Sequence, residues 1–333
     1  MIEIVRAGLL TTVQDLGRYG AQRFGVPASG AMDARALRIA NRLVGNDDNA
    51  AGLEVTLVGP QLQFHADTLI AICGGDWHVT IGNRRFPMNR PAWIASGSRL
   101  DLGHAVAGCR TYVAIAGGID VAPVLGSRAT YLRSGFGGMK GRALKKGDRL
   151  AMHTGAHAQF PGLRSAPAFT DHGFAAPKWS VRVDADRLTL RPQRIRFLPG
   201  RHWKQLAETV RNAFLGEIFR VGTASDRMGY RLEGARMEPH NYGNIASEAV
   251  AFGTIQLPPD GSPIILMADR QTVGGYPRVG EVASVDLPLL AQLKPGDTLR
   301  FEEITLSDAH RLIHEQETRL AQMQASVSTM RDR

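Results

Sequence analysis

The sequence predicts a mainly β protein made of two β-barrels in tandem with a few short helices. Three observations carry that expectation. Apolar residues fall in short β-branched runs that end at Gly or polar pairs, and helix-length periodicity is scarce. Glycine is frequent, at 37 of 333 residues, as many turns between short strands require. The chain is also longer than one ordinary core needs, and two similar stretches, LKKGDRLAM at 144–152 and LKPGDTLRF at 293–301, each close a β-rich section. Leu, Lys, Gly, Asp and Leu match in register between them, which points to duplication. The implied division is a first barrel with an N-terminal arm at 1–160, a second barrel at 161–305, and a helix or tail at 306–333.

The chain opens on a strand, IEIV at 2–5, followed by a Gly-rich polar stretch to Asp33 that is either functional or an ordered arm. Leu37, Ala40, Leu43 and Val44 recur at helical spacing before Gly45-Asn46, which predicts a helix over 32–44. Strands dominate 53–150, with a hairpin turn at Gly82-Asn83. Residues 155–180 read as a linker or an ordered crossover. Strands resume at 181–184, 188–192 and 194–200. Trp203, Leu206, Val210 and Phe214 then lie on one face of a helix over 202–214 that Gly216 ends. Asp286 is placed to cap a short helix with Pro288 in its first turn, and Ser307 to cap a final polar helix.

Composition narrows the function classes. Hydrophobic residues at 44% and charged residues at 21% describe a globular chain. The net charge of +9 fits solubility or anionic partners, but no Lys/Arg run has the length or aromatic interleaving of a nucleic-acid arm. Cys73 and Cys109 sit in apolar runs without metal-spaced partners and read as buried free thiols. The N-terminus lacks a basic leader and an apolar run, and no stretch is long and apolar enough to span a bilayer. A cytoplasmic protein without membrane contact is expected.

Several constellations place acids and arginines beside glycines. Gln14, Asp15 and Arg18 lie in a Gly-flanked loop that either meets a ligand or is braced by an Asp15–Arg18 contact. Arg227 and Arg231 flank Gly229 after Asp226, as an anion fork or as an Asp–Arg pair bracing a strand. Glu248 and Gln256 fit a site that positions a polar substrate, or a satisfied glutamate at a barrel mouth. The apolar run PIILMA delivers Asp269 and Arg270 to the turn Thr272–Tyr276, where Gly274 and Gly275 suggest an anion cradle; here function is the favoured reading. The loop Ser134–Arg142 lacks the G-x-x-x-x-G-K-[ST] pattern and reads as a surface turn. His153 and His157 have no third ligand, and no metal site is expected.

The same segments carry a resemblance. TTVQDLGRYG at 11–20, GVPASGAMD at 25–33, YVAIAGGIDVAPVLGSRAT at 112–130, SDRMGYRLEG at 225–234 and SEAVAFGTIQLPPDGSPIILMADRQTVGGYP at 247–277 occur in this order. On them the chain resembles the carboxyltransferase-like family, which includes part of the urea carboxylase transferase domain, the C-type component of prokaryotic 5-oxoprolinase, and the antagonist of a sporulation-kinase inhibitor. The resemblance implies a pair of cyclophilin-like barrels. For a stand-alone chain it implies ATP-dependent opening of 5-oxoproline to glutamate together with the A and B components of that enzyme as partner subunits. It implies catalytic roles for Asp269, Arg270 and Glu248, and binding roles for Arg227, Arg231, Gln256, Thr272, Gly274, Gly275, Tyr276, Gln14, Asp15 and Arg18. ATP is expected mostly on a partner, with any Mg carried there. The rival readings are a regulatory subunit that antagonises a kinase inhibitor and a carboxyltransferase component acting on a urea-like amide.

Overall fold

The short apolar runs fold as strands whose alternate side chains fill separate cores. The computed structural model describes residues 1–153, 160–182, 188–237 and 245–331. The chain forms two units. One comprises Met1–Arg18, Asp33–Ala185 and Thr318–Arg333; the other comprises Tyr19–Met32 and Asp186–Glu317. Neither unit is a continuous stretch of chain, because Tyr19–Met32 groups with the later residues.

The first unit holds a seven-stranded and a six-stranded sheet. Ile2, Ile4, Leu62 and Phe64 of one sheet share a core with Leu53, Val55, Ile72 and Val113 of the other. The six-stranded sheet is buried on its second face as well, under helix Ala34–Leu43. Strand Gly52–Thr56 is therefore buried at every position, and the polar groups there must find partners inside the protein. The Tyr112 hydroxyl donates to Glu54 at 2.7 Å and accepts the Asp33 N–H at 2.8 Å. The Asp33 carboxylate caps the helix by accepting the Ala36 N–H at 2.9 Å. Burial and then the nearby Glu54 push the Tyr112 phenol well above its ordinary pKa.

The second unit closes into a seven-stranded barrel in the order 193–199, 278–282, 254–256, 264–266, 229–233, 219–221 and 298–303. Strands Gln193–Pro199 and Thr298–Glu303 pair in parallel, and the neighbouring pairs around the barrel are antiparallel. Phe197, Trp203, Phe214, Phe219 and Phe301 pack its core, with Phe214 and Phe301 stacked 4.6 Å apart.

The mainly β expectation is met, and the sequence echo proves to be a shared turn. Gly147 and Gly296 both take positive φ, at 87° and 91°. The Lys145 and Lys294 N–H groups donate to Asp148 and Asp297 at 2.7 and 3.1 Å. Each aspartate also holds an arginine, Arg142 at 2.7 Å and Arg191 at 2.9 Å.

Local details differ from the sequence reading. The stretch after Arg6 contains a strand, Leu10–Gln14, where a functional loop or an ordered arm was expected. The helix expected over 202–214 is split into Trp203–Gln205 and Glu208–Gly216. Leu206 between them has extended ψ, so it reaches the core without continuing the helix. The last helix, Leu306–Arg331, is capped by Thr305, whose Oγ1 accepts the Asp308 N–H at 3.1 Å, and not by Ser307. Residues 160–182 are an ordered crossover with two short helices. Part of the expected strand at 181–184 and His157 lie outside the described residues.

Asp286 caps nothing with its side chain. It is buried and takes Arg196 as a fork, Nε at 2.8 Å and Nη2 at 2.5 Å. Removing one partner of a buried ion pair strands the other charge. Asp286→Ala should therefore cost about 3 kcal/mol or more in urea unfolding; a loss near zero would show that the pair is a bystander.

Candidate functional site

Strand Ile264–Leu266 runs on through buried Met267 and Ala268 and delivers Asp269 into the interior at 4% exposure. A carboxylate there needs a cation and hydrogen bonds. Arg227, at 6% exposure, supplies Nε at 2.9 Å and Nη2 at 3.0 Å. Ser29 donates to the same carboxylate at 2.6 Å, and Arg227 also donates to the Gly30 carbonyl at 2.6 Å. These contacts fasten segment Tyr19–Met32 to the barrel of the second unit. Arg227 and Asp269 thus hold each other.

Arg270, the next residue, is half-buried. Its donors reach only carbonyls at long range, Val250 at 3.4 Å and Met267 at 3.5 Å. Burial pulls its pKa down, against the attraction of Tyr19, Glu281 and Asp269.

The following turn is not the expected cradle. Val273–Gly274 pairs antiparallel with Glu248–Ala249, with Glu248 opposite Gly274. The Thr272 carbonyl accepts the Val250 N–H at 3.2 Å. Neither Gly274 nor Gly275 has the left-handed backbone of an N–H nest. A Cβ at Gly274 would meet Nε2 of buried Gln256 at 2.5 Å, so a side chain there would have to displace that amide. That amide points at the Tyr276 carbonyl at 3.5 Å, and the Tyr276 side chain is exposed.

The ladder places Glu248 beside residues that sequence reasoning missed. Its Oε2 lies 3.3 Å from Arg201 and 3.8 Å from Arg278. Its Oε1 is buried without a hydrogen-bond partner among the described residues, and so is Nε of Arg278. Arg278 lies 3.6 Å from Glu281, which accepts the Thr254 hydroxyl at 2.8 Å. Burial raises the Glu281 pKa, Thr254 and Arg278 oppose that, and Glu248 reinforces it. A register shift between Ile255 and Gln256 against strand Arg278–Val282 lets residues three apart approach each other. A regular period of two gives no hint of this. Beside the cluster lies a hollow of about 550 Å³, lined by Arg278, Glu281, Val250, Phe252, Leu306 and His310 among others. Apolar walls with a few convergent polar groups are the usual make-up of a small-molecule site.

Other expected site residues lie elsewhere. Arg231 is exposed between buried Tyr230 and Leu232, on the outer face of its strand. Gln14, Asp15 and Arg18 belong to the first unit and bind its 124–130 segment. Asp15 accepts the Ser127 hydroxyl at 2.6 Å and the Arg128 N–H at 2.5 Å. Arg18 donates to the Ala129 carbonyl and lies 4.8 Å over the Phe136 ring. Gln14 donates to the Thr130 carbonyl at 3.2 Å. In loop Ser134–Arg142, a Cβ at Gly137, Gly138 or Gly141 would strike neighbouring atoms, so those glycines serve packing. Both cysteines are buried, and burial pushes the Cys73 thiol up. No described helix is long and apolar enough to cross a membrane.

Comparison with known proteins agrees with the motifs. Residues 24–303 match the family model described as carboxyltransferase domain, subdomain A and B. The chain is 36% identical to the C component of 5-oxoprolinase from Escherichia coli (strain K12), covering 97% of each chain. It is 34% identical to the protein of the same name from Haemophilus influenzae, over 98% of this chain and 99% of that one. Among solved structures, the K. lactis urea amidolyase matches with a TM-score of 0.81 at 32% identity, over 96% of this chain and 20% of that one.

The Glu281 carboxyl has a simple test. With its pKa raised in the fold, the folded state keeps a proton that the unfolded chain releases near about pH 4.3. Stability contributed by that proton is present below this value and is lost as pH rises through the folded value. Glu281→Gln cannot lose it, so its melting temperature relative to wild type should be higher at pH 7 than at pH 4. An equal difference at both pH values would contradict the raised pKa.

Proposed function

The chain belongs to the family of carboxyltransferase domains with subdomains A and B, and on that premise we propose that it is the C component of an ATP-dependent 5-oxoprolinase, acting with the A and B components as partner subunits. Two relatives that carry the name of that 5-oxoprolinase component and match along nearly their whole length support this reading. One observation carries the placement of the site: Arg278 and Glu281 line a partly apolar hollow, and Glu248, 3.8 Å from Arg278, lies beside it. Carboxylates and a guanidinium gathered at apolar walls suit a ligand that supplies both a donor and an anion.

5-Oxoproline has those features. Its carboxylate suits Arg278, with Arg270 as the nearby second cation. Its lactam N–H suits Glu248 Oε1. In the overall reaction the ring C–N bond breaks, a water oxygen joins the carbonyl carbon, and the nitrogen takes up a proton. Glu248 is the group placed to hold or pass a proton at that nitrogen. ATP hydrolysis supplies the driving force. The Ser134–Arg142 loop has packing-bound glycines and no Walker pattern, so it is not the reaction's nucleotide site, and that ATP and any Mg are taken to lie mostly on a partner subunit. Reliance on ATP also fits a cytoplasmic setting.

The likeness to urea amidolyase supports a second reading, carboxyl transfer to a urea-like amide at the same hollow. Avidin-sensitive activity would favour it.

The test uses the complex reconstituted from the three components. Glu248→Gln and Arg278→Ala should each lower oxoproline-dependent ATP turnover by about a hundredfold or more, while the subunits still co-elute. Arg231→Ala should stay close to wild type. Normal turnover in both site variants would remove the site assignment, and no turnover in the wild-type mixture would remove the enzyme reading.

A further inference from the structure

The parallel strand pair of the barrel breaks a charge rule. The register of Gln193–Pro199 against Thr298–Glu303 sets Arg194 directly opposite Arg300 and Arg196 opposite Glu302. Like charges directly opposite each other destabilise a sheet, and opposite charges support it. The neighbouring antiparallel pair keeps the rule, with Arg220 opposite Glu233.

Nearby carboxylates take the other arginines and leave Arg300. Glu302 turns diagonally to Arg194 at 3.1 Å. Arg196 is held by Asp286 at 2.5 and 2.8 Å. Asp297 takes Arg191 at 2.9 Å. Arg300 has no hydrogen-bond or ion-pair partner among the described residues. Arg191, Arg194, Arg196 and Arg300, with the carboxylate of Asp286 already held by Arg196, line one hollow of about 410 Å³, and Leu190 and Leu289 give it an apolar side.

Local rules are broken at a stability cost where another requirement overrides them. A dianion between Arg194 and Arg300 would turn repulsion into two charge-assisted contacts, and guanidinium forks match phosphate oxygens. We propose that this hollow binds a phosphate-bearing small molecule, with Arg300 and Arg194 on the phosphate and Leu190 and Leu289 against the rest of the ligand. The site is independent of the oxoprolinase reading, because it uses none of Glu248, Arg270, Arg278 or Glu281.

The test is calorimetry and thermal melting of the full chain with inorganic phosphate, with ADP, and with sodium chloride at matched ionic strength. Phosphate and ADP should bind and raise the melting temperature, and chloride should not. Arg300→Gln should weaken phosphate binding by roughly tenfold or more. Without ligand it should melt no lower than wild type, since only repulsion is lost. Tighter binding of ADP than of phosphate would identify a nucleotide; equal binding would identify the phosphate group alone. Equal shifts with chloride and phosphate, meaning screening only, would overturn the proposal, and so would unchanged phosphate binding by the variant.

Discussion

A carboxylate buried in a protein interior needs a cation or hydrogen-bond donors beside it, and the candidate site lies next to one such carboxylate. Asp269 sits at the end of strand Ile264–Leu266, and Arg227 neutralises it through two nitrogens. Ser29 and the Gly30 carbonyl complete the set. That network holds segment Tyr19–Met32 to the second unit and fixes where the chain leaves the barrel after Met267. The short ladder of Val273–Gly274 with Glu248–Ala249 follows from that exit, and the ladder carries Glu248 to Arg278. Loss of the buried pair would disturb the site without either residue touching a substrate.

The site differs from this network in how well its groups are satisfied. Asp269 is surrounded by donors. Among the described residues Glu248 has one oxygen without a donor, and the buried Arg278 Nε has only the Glu281 carboxylate 3.6 Å away. Arg278 and Glu281 line the hollow and Glu248 lies beside it. Glu281 adds a desolvated carboxyl held by Thr254, and Arg270 adds a cation whose hydrogen bonds are only long contacts to carbonyls. Carboxyls and arginines combined with apolar walls suit a small ring that carries both an amide and an acid.

Much of the architecture was legible in the residues. The mainly β class followed from short β-branched runs, and the LKKGD and LKPGD echo marked a turn that recurs with the same aspartate bonding. Helix Ala34–Leu43 followed from its periodicity and the Gly45-Asn46 stop. Side-chain partners were harder to read. Asp286 looks like a helix cap in sequence, yet Arg196 reaches it from 90 residues away, and no local pattern encodes that pairing. Gly274-Gly275 looks like an anion cradle, yet the space that Gly274 leaves is needed by Gln256. Within the candidate site, Glu248, Gln256, Arg270 and Tyr276 stood out because each lies beside glycine or at a strand end. Arg278 and Glu281 did not, because an irregular strand register brings them together.

The central claim is that Glu248 and Arg278 form the recognition edge for a small lactam acid once the partner subunits are in place. A structure of the assembled complex with 5-oxoproline tests it most directly. The claim requires the ligand's carboxylate within hydrogen-bond reach of Arg278 and its ring nitrogen facing Glu248. Density for the ligand on another subunit, with neither Arg278 nor Glu248 touching it, would contradict it.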